Sequence, residues 1–224
     1  MTPRAIRRIL DALARFNDAH PWSHNDAYAG FVQWHARAVY RGGGRVAVDV
    51  GCGTGNLLDR LSDVFPTVIG IEPDIATATT AAQRFDDARV RVHPRPFGDE
   101  PESSYDVIAF VASLHHMPLR ETLQAAKAAL RPDGRLVIVG VARETHADTW
   151  RSILSMLLNP IVGLIRHPAR AAQLPTNMGA PTAAPQETFE EIRDIARAEL
   201  AGVTMRRRLF WRYTAVWRAP RGTA

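Results

Sequence analysis

The chain has one cysteine and one lysine in 224 residues, and no apolar run long enough to span a bilayer. Cys52 alone excludes an intrachain disulfide framework and makes a reducing compartment, the cytoplasm, the default expectation. Lys127 is the only lysine among 28 Lys and Arg, so the pI of about 10.1 reflects arginines that do not titrate in the useful range. The formal net charge is only +5, which is weak evidence for a nucleic-acid partner. The most apolar segment, Trp150 to Pro168, carries fourteen residues between Arg151 and Arg166, broken by Asn159-Pro160. That is short of the roughly 20 residues a spanning helix needs. Its N-terminal stretch, MTPRAIRRILDALARFNDAH, has charges throughout and lacks the apolar core of a secretory signal. There is no internal repeat, and no Cys/His/Asp/Glu spacing that would hold a metal.

What is present is one α/β domain. Hydrophobic residues make up 46% of the chain, enough for an ordinary core. Residues 1–44 read as an N-terminal helical cap. Ile6, Ile9, Leu10, Leu13 and Phe16 recur at helical spacing, and a second helix is predicted from about Asn25 to Tyr40, ended by Gly42-Gly43-Gly44. From 45 to 141 strands alternate with helices: strand 46–50, helix 54–65, strand 67–71, helix 74–85, strand 89–93, strand 105–111, helix 118–130, an RPDG turn, then strand 135–141. Such alternation implies right-handed crossovers and a mostly parallel sheet covered on both faces. The continuous apolar runs DVIAFV and LVIVGV fit strands buried on two sides. Residues 142–186 read as a helical insertion, with a helix pair at 148–166 and a Pro/Gly/Ala-rich loop. Residues 187–224 read as a helix at 188–200 and a closing strand pair meeting near Leu209. The fold class is a doubly wound α/β sheet of about seven strands with a C-terminal antiparallel pair.

Inside this pattern VAVDVGCGTG places Gly51, Gly53 and Gly55 just after the first core strand, where a doubly wound sheet binds ligands. A glycine turn lets backbone approach a ligand and take φ > 0. The spacing is G-x-G-x-G, not the dinucleotide G-x-G-x-x-G. Glu72 ends the second strand in VIGIEPD, where an acid can take both ribose hydroxyls. Cys52 reads as packing, since no His or Lys adjoins it.

VAVDVGCGTG, GIEPD, SYDVIAFVASLHHM and ALRPDGRLVIVGV, in that order, resemble the class I S-adenosylmethionine (SAM)-dependent methyltransferases over about residues 45–141. The resemblance implies a Rossmann-like fold, SAM as cofactor and no metal. It implies that Gly51, Gly53 and Gly55 contact the methionine moiety, that Asp49 orients it, and that Glu72 binds the ribose. Pro73 would pack near the adenine, and Val111, Ala112 and Ser113 would lie beside the sulfonium. Many members carry an adenine-binding Asp after the third strand. Here that position falls near Pro94 or Arg95, which leaves Arg95, Phe97 or a backbone group as substitutes. Asn25 and Tyr28, in the helix before the first strand, would line the cofactor pocket.

Methyl transfer is an in-line displacement in which the protein supplies alignment and, for a protonated nucleophile, a base. His115 and His116 in SLHHMPLR follow the fourth strand at the rim where an acceptor must sit, with His115 the first choice and His116 the second. Adjacent positions point apart, so one of the pair would serve. The insertion would cover the acceptor, and Ile153, Leu154, Met156, Leu157, Leu158 and Ile161 point to an apolar or aromatic small molecule. Core packing or a homodimer contact are the alternatives for that segment. Arg206, Arg207, Arg208, Arg212 and Arg218 read as a charged edge strand before they read as a site for an acidic substrate or RNA. The leading expectation is O-methylation of a small metabolite, slightly ahead of C- or N-methylation. A nucleic-acid methyltransferase lacks its D/N-P-P-Y/F motif here, and a non-catalytic binding protein of the same fold is the remaining alternative.

Overall fold

The structure is a computed structural model, and it describes residues 8, 15–17, 20, 22–86, 88–166, 168–169 and 184–222. Most of the expected first helix (3–16) and of the Pro/Gly/Ala-rich loop lies outside the described residues.

The described chain runs α1 (Asp26–Arg41), β1 (Val46–Val50), α2 (Asn56–Ser62), β2 (Thr67–Ile71), α3 (Ile75–Ala82), β3 (Val90–His93) and β4 (Tyr105–Val111). It continues with α4 (Leu119–Ala129), β5 (Leu130–Gly140), α5 (Thr149–Arg166), α6 (Phe189–Glu199), β6 (Thr204–Arg207) and β7 (Tyr213–Arg218). The seven strands form one sheet in the order β3-β2-β1-β4-β5-β7-β6. The first five are mutually parallel, and β7 runs antiparallel to both β5 and β6. This is the expected doubly wound Rossmann-like architecture with its closing strand pair.

Side chains alternate across a strand, and the sequence uses that period to feed two cores. Val48, Val50, Ile108, Phe110, Leu136 and Ile138 face one way and pack with Leu123 and Ala126 of α4 and Ile192 and Ala196 of α6. Ala47, Val107, Ala109, Val137 and Val139 face the other way and pack with Val32 and Ala36 of α1 and Leu57, Leu58 and Leu61 of α2. Both faces are apolar, so the strands read as unbroken hydrophobic runs. Asp49 is the exception: it sits mid-sheet on β1 at 2% exposure.

Two expectations change. The insertion is one helix, not a helix pair: α5 runs through Pro160. Proline removes the backbone donor that the carbonyl four residues back would use and strains the ladder there. Contacts from the N-terminal segment hold the helix at that point, with the Trp22 indole N–H donating to the Asn159 carbonyl (3.2 Å) and His24 bonding the Asn159 side chain (2.8 Å). The RPDG stretch does not precede the fifth strand but bulges from within it. Tyr105 pairs with Leu130 and Val107 with Arg135, so the extra residues loop out, with Asp133 at φ 64°.

Helix ends follow local chemistry. Thr188 and Glu191 form a reciprocal capping box on α6, and Asp74 caps α3 through the Thr77 N–H (2.8 Å). None of the described helices is long and apolar enough to cross a membrane.

Candidate active site

The carboxyl ends of β1, β2 and β4 converge on the glycine turn. Gly51 N–H and Cys52 N–H donate to the Ile71 carbonyl at 2.7 and 3.2 Å, which ties the turn to β2. Gly51, Gly53 and Gly55 have φ of 70°, 53° and 88°, a region that L side chains rarely adopt. Gly51 and Gly53 answer different demands. A Cβ on Gly51 would lie 2.4 Å from Ser113 Cβ, so the protein itself forbids a side chain there. A Cβ on Gly53 would meet nothing within 4 Å, so the space beside that backbone is left open for something else.

Glu72 stands at that open space. Its two carboxylate oxygens accept from Gly53 N–H (3.0 Å) and Asp74 N–H (3.1 Å). It is therefore a brace of the turn as well as a half-buried acid facing the site. Asp49 Oδ1 is buried with no hydrogen-bond partner. Burial first, and the neighbouring Glu72 carboxylate second, push the Asp49 carboxyl up to about 7. An unpartnered buried acid beside an open glycine cradle fits a ligand with a cationic group and hydroxyls, as the methionine and ribose ends of SAM present. Arg84 was not foreseen: its guanidinium donates to the Thr54 carbonyl and to Asn56 Oδ1 (2.7 Å), locking the turn from α3. Ile75 was also missed; it is 70% exposed two residues after Pro73, an apolar surface beside Glu72. Cys52 is buried, and desolvation raises its thiol pKa, so it packs and does not react.

After β4 the chain bends sharply. Ala112 takes φ 54°, a strained value for a non-glycine, and its N–H donates to the Val139 carbonyl at 2.8 Å. The Ser113 hydroxyl donates to the Val50 carbonyl. The loop is thus stitched to β1 on one side and β5 on the other, which sets Ser113 against Gly51 of the glycine turn. His115 and His116 follow in a single 3₁₀ turn, Leu114–His116. His115 is half-buried and His116 exposed. Their rings do not point apart: the centroids are 3.9 Å apart at 40°. The backbone turn alone does not bring adjacent side chains together, since a 3₁₀ turn sets them about 120° apart; the long imidazole side chains lean toward each other.

Arg95 and Phe97 are placed differently from each other. Arg95 makes a two-pronged ion pair with Glu100 (2.5 and 2.9 Å), and Glu100 also accepts from the Tyr105 hydroxyl. That commits the guanidinium to a structural contact. Phe97 packs edge-on against Phe110 at 5.5 Å, below the sheet's carboxyl edge. Pro73 is exposed beside Glu72.

Asn25 and Tyr28 go to the other half of the site. Asn25 Oδ1 accepts from Arg212 Nε (3.1 Å) and Nη2 (2.8 Å), and the Tyr28 hydroxyl donates to the Leu209 carbonyl (2.8 Å). Both are held by the β6–β7 turn and make no hydrogen bond to the glycine turn. That turn borders a cleft walled by Ser152 and Ser155 of α5, Phe189, and Trp211, Arg212 and Tyr213. Gly140 at the end of β5 pairs with Tyr213 at the start of β7, so the cleft opens at the same carboxyl edge as the glycine turn. The residues expected to make it apolar do not: Ile153, Leu154, Leu157 and Ile161 are exposed. Arg207 and Arg208 turn inward with Arg212, and exposed Arg218 lies on the inner strand β7, so the charged-edge reading holds only for Arg206, exposed on the edge strand β6.

A mostly parallel sheet with a glycine turn, an acid at the end of β2 and a second cleft along one edge has the layout of a nucleotide-type cofactor site. Comparison with known proteins agrees. Residues 3–171 match the family model described as a methyltransferase domain, and the chain belongs to that family. An uncharacterised methyltransferase of Mycobacterium tuberculosis is 29% identical over 209 residues, 89% of this chain and 98% of the relative. The 27-O-demethylrifamycin SV methyltransferase of Amycolatopsis mediterranei is 37% identical over 109 residues, 44% of this chain and 39% of that one. A SAM-dependent methyltransferase structure from Aquifex aeolicus shares the fold, with TM-score 0.50, 16% identity, and 78% and 81% of the two chains covered. The chain is a class I SAM-dependent methyltransferase, and SAM is its cofactor.

Proposed function

We propose that the chain methylates an oxygen of a small-molecule acceptor seated in the cleft between α5 and the β6–β7 turn, with His115 as the base. One observation carries this reading. In the strand order β1-β4-β5-β7, the loop bearing His115 rises from β4, between the glycine cradle on β1 and the cleft on β5 and β7. A base placed there lies between the cofactor end and the acceptor end.

When bound, SAM supplies a methyl group made electrophilic by its sulfonium. Asp49, Gly51, Gly53, Gly55 and Glu72 would hold it, with Pro73 and Ile75 beside the adenine and Val111 to Ser113 along the side facing the acceptor. The chain's own work is alignment and proton removal. His115 accepts the acceptor's hydroxyl proton, and Phe189, Trp211 and Tyr213 present aromatic walls to the acceptor body. The 27-O-demethylrifamycin SV methyltransferase is named for a small-molecule acceptor with a free oxygen, which supports the small-molecule reading.

The test is titration calorimetry with S-adenosylhomocysteine beside Glu72→Ala, followed by transfer assays on hydroxylated aromatic acceptors. Binding lost in Glu72→Ala and methyl transfer lost in His115→Ala are expected. Turnover that is insensitive to His115→Ala refutes the base assignment.

A further inference from the structure

The cleft's electrostatics narrow the acceptor further, on the reading that the cleft is its seat. Five arginines line it, Arg143, Arg151, Arg207, Arg208 and Arg212, against two acids, Glu144 and Asp148. Those acids are engaged. Asp148 pairs with Arg207 at 2.9 Å, and Glu144 bonds the Ser152 hydroxyl. Arg207 also pairs with Glu190, and Arg143 with Glu191 at 3.7 Å. The cleft therefore carries more cation than its own carboxylates compensate.

Arg212 is the sharpest case. Burial lowers its pKa to about 10, opposed only by the Tyr28 hydroxyl. Among the described residues no carboxylate pairs with it. Its donors can be counted. A guanidinium has five N–H groups in a fixed fork. Asn25 Oδ1 takes Nε and one hydrogen of Nη2 (3.1 and 2.8 Å). The Phe210 and Trp211 carbonyls accept from Nη1 at 3.4 and 3.3 Å, both long for such bonds. One hydrogen of Nη2 is left over, and with the weakly engaged Nη1 beside it forms the end-on pair that an oxyanion can accept in two parallel bonds.

The backbone around it is built to hold this pose. Phe210 and Trp211 both have positive φ, 56° and 57°, which costs energy for non-glycine residues. The turn is pinned by the Phe210 N–H to the buried Ser155 hydroxyl (2.8 Å) and by the Tyr28 hydroxyl to the Leu209 carbonyl (2.8 Å). Trp22 and His24 pack against Phe210 from the far side, with ring centroids 4.8 and 5.8 Å away. Strain retained beside a desolvated, unpaired cation in a cleft marks a binding position.

We propose that the acceptor is an organic anion whose carboxylate or phosphate is seated on the end-on face of Arg212, with its body between Phe189, Trp211 and Tyr213. Arg212 is then a specificity-determining residue. It selects acidic acceptors over neutral isosteres because only an anion offsets the buried charge that no carboxylate of the cleft pairs with.

The experiment uses the full chain saturated with S-adenosylhomocysteine and three probes: 4-fluorobenzoate, 4-fluorobenzamide and 4-fluorophenyl phosphate, followed by fluorine NMR relaxation. Charged hydrogen bonds of this kind correspond to roughly ten- to hundredfold in affinity. At least one anion should bind about tenfold or more tightly than the amide, and Arg212→Gln should remove that preference. Whichever anion binds tighter distinguishes a carboxylate from a phosphate ester. Arg212→Lys, which keeps the charge and loses the fork, should fall between. Ser152→Trp, which fills the cleft without touching Arg212, should abolish binding and so locate it. S-adenosylhomocysteine affinity of each variant reports an intact fold. Equal binding of the amide and the anions, or no binding of any probe, overturns the inference while leaving the methyltransferase assignment standing. Failure of the wild-type chain to bind S-adenosylhomocysteine would instead strike the cofactor reading on which it rests.

Discussion

Asp49→Asn should make the ligand-free protein more stable at alkaline pH and change it little near pH 4. The reasoning starts from a carboxyl at 2% exposure with an unpartnered Oδ1 and the Glu72 carboxylate as neighbour. Its pKa rises from 3.8 to about 7 on folding. Between those values the folded state holds a proton that the unfolded state has released, so stability falls as pH rises and the loss is complete above pH 7. About three units at ~1.4 kcal/mol each give a cost on the order of 4 kcal/mol. Roughly 3 kcal/mol of it accrues between pH 5 and pH 8. Asparagine has the same shape and no charge, so its pH dependence lacks this component. For a chain of this size, the gap in Tm between variant and wild type should widen by about 6–12 °C over that interval. Urea unfolding at pH 5 and pH 8, read by circular dichroism, measures it. Saturating S-adenosylhomocysteine, which brings an ammonium to the site, should narrow the gap at pH 8. Parallel stability curves for the two proteins would show that Asp49 is already ionised or solvated, and the argument for an acid held in reserve would fail.

Gly51→Ala combines a φ of 70° with a Cβ 2.4 Å from Ser113 Cβ, so strain and overpacking together should cost about 2–6 kcal/mol and abolish S-adenosylhomocysteine binding; a variant with wild-type Tm and affinity refutes the close approach. His115→Ala should lower kcat by ~10²–10⁴. His116→Ala, at an exposed ring, should lose less, which stopped-time transfer assays will separate. Thr188→Ala removes one side of the α6 capping box and should cost about 1 kcal/mol, seen as a Tm lower by roughly 2–4 °C.

The fold was legible because the information for it is local. Runs such as YDVIAFV and RLVIVGV declare doubly buried strands within seven residues, and β4 and the second half of β5 fall where those runs lie. The misreadings came where a tertiary contact overrides a local signal. Asn159-Pro160 reads as a break in isolation, yet Trp22 and His24, more than 130 positions away, hold α5 continuous. RPDG reads as a turn between elements, yet the pairing of Tyr105 with Leu130 begins β5 before it and forces the extra residues out as a bulge.

The two halves of the site differ for the same reason. The cofactor half is made of turns that directly follow β1, β2 and β4, so each binding residue sits within a few positions of a strand end that the sequence already marks. The acceptor half is assembled from three distant stretches, around residue 25, along α5 and in the β6–β7 turn. Nothing in the local sequence couples Asn25 to Arg212, 187 positions apart. Nor does any local signal separate inward Arg207, Arg208 and Arg212 from outward Arg206 and Arg218, since all five stand in one basic run whose simplest meaning is a protected edge. The same limit explains the apolar acceptor expected from Ile153, Leu154, Leu157 and Ile161. Helical spacing shows that they share a face, but only the packing of Ser155 under the Phe210 N–H reveals that this face is turned away from the cleft. In this chain, therefore, the cofactor could be read from motifs, whereas the proposed acceptor rests on the charge that the folded cleft leaves uncompensated.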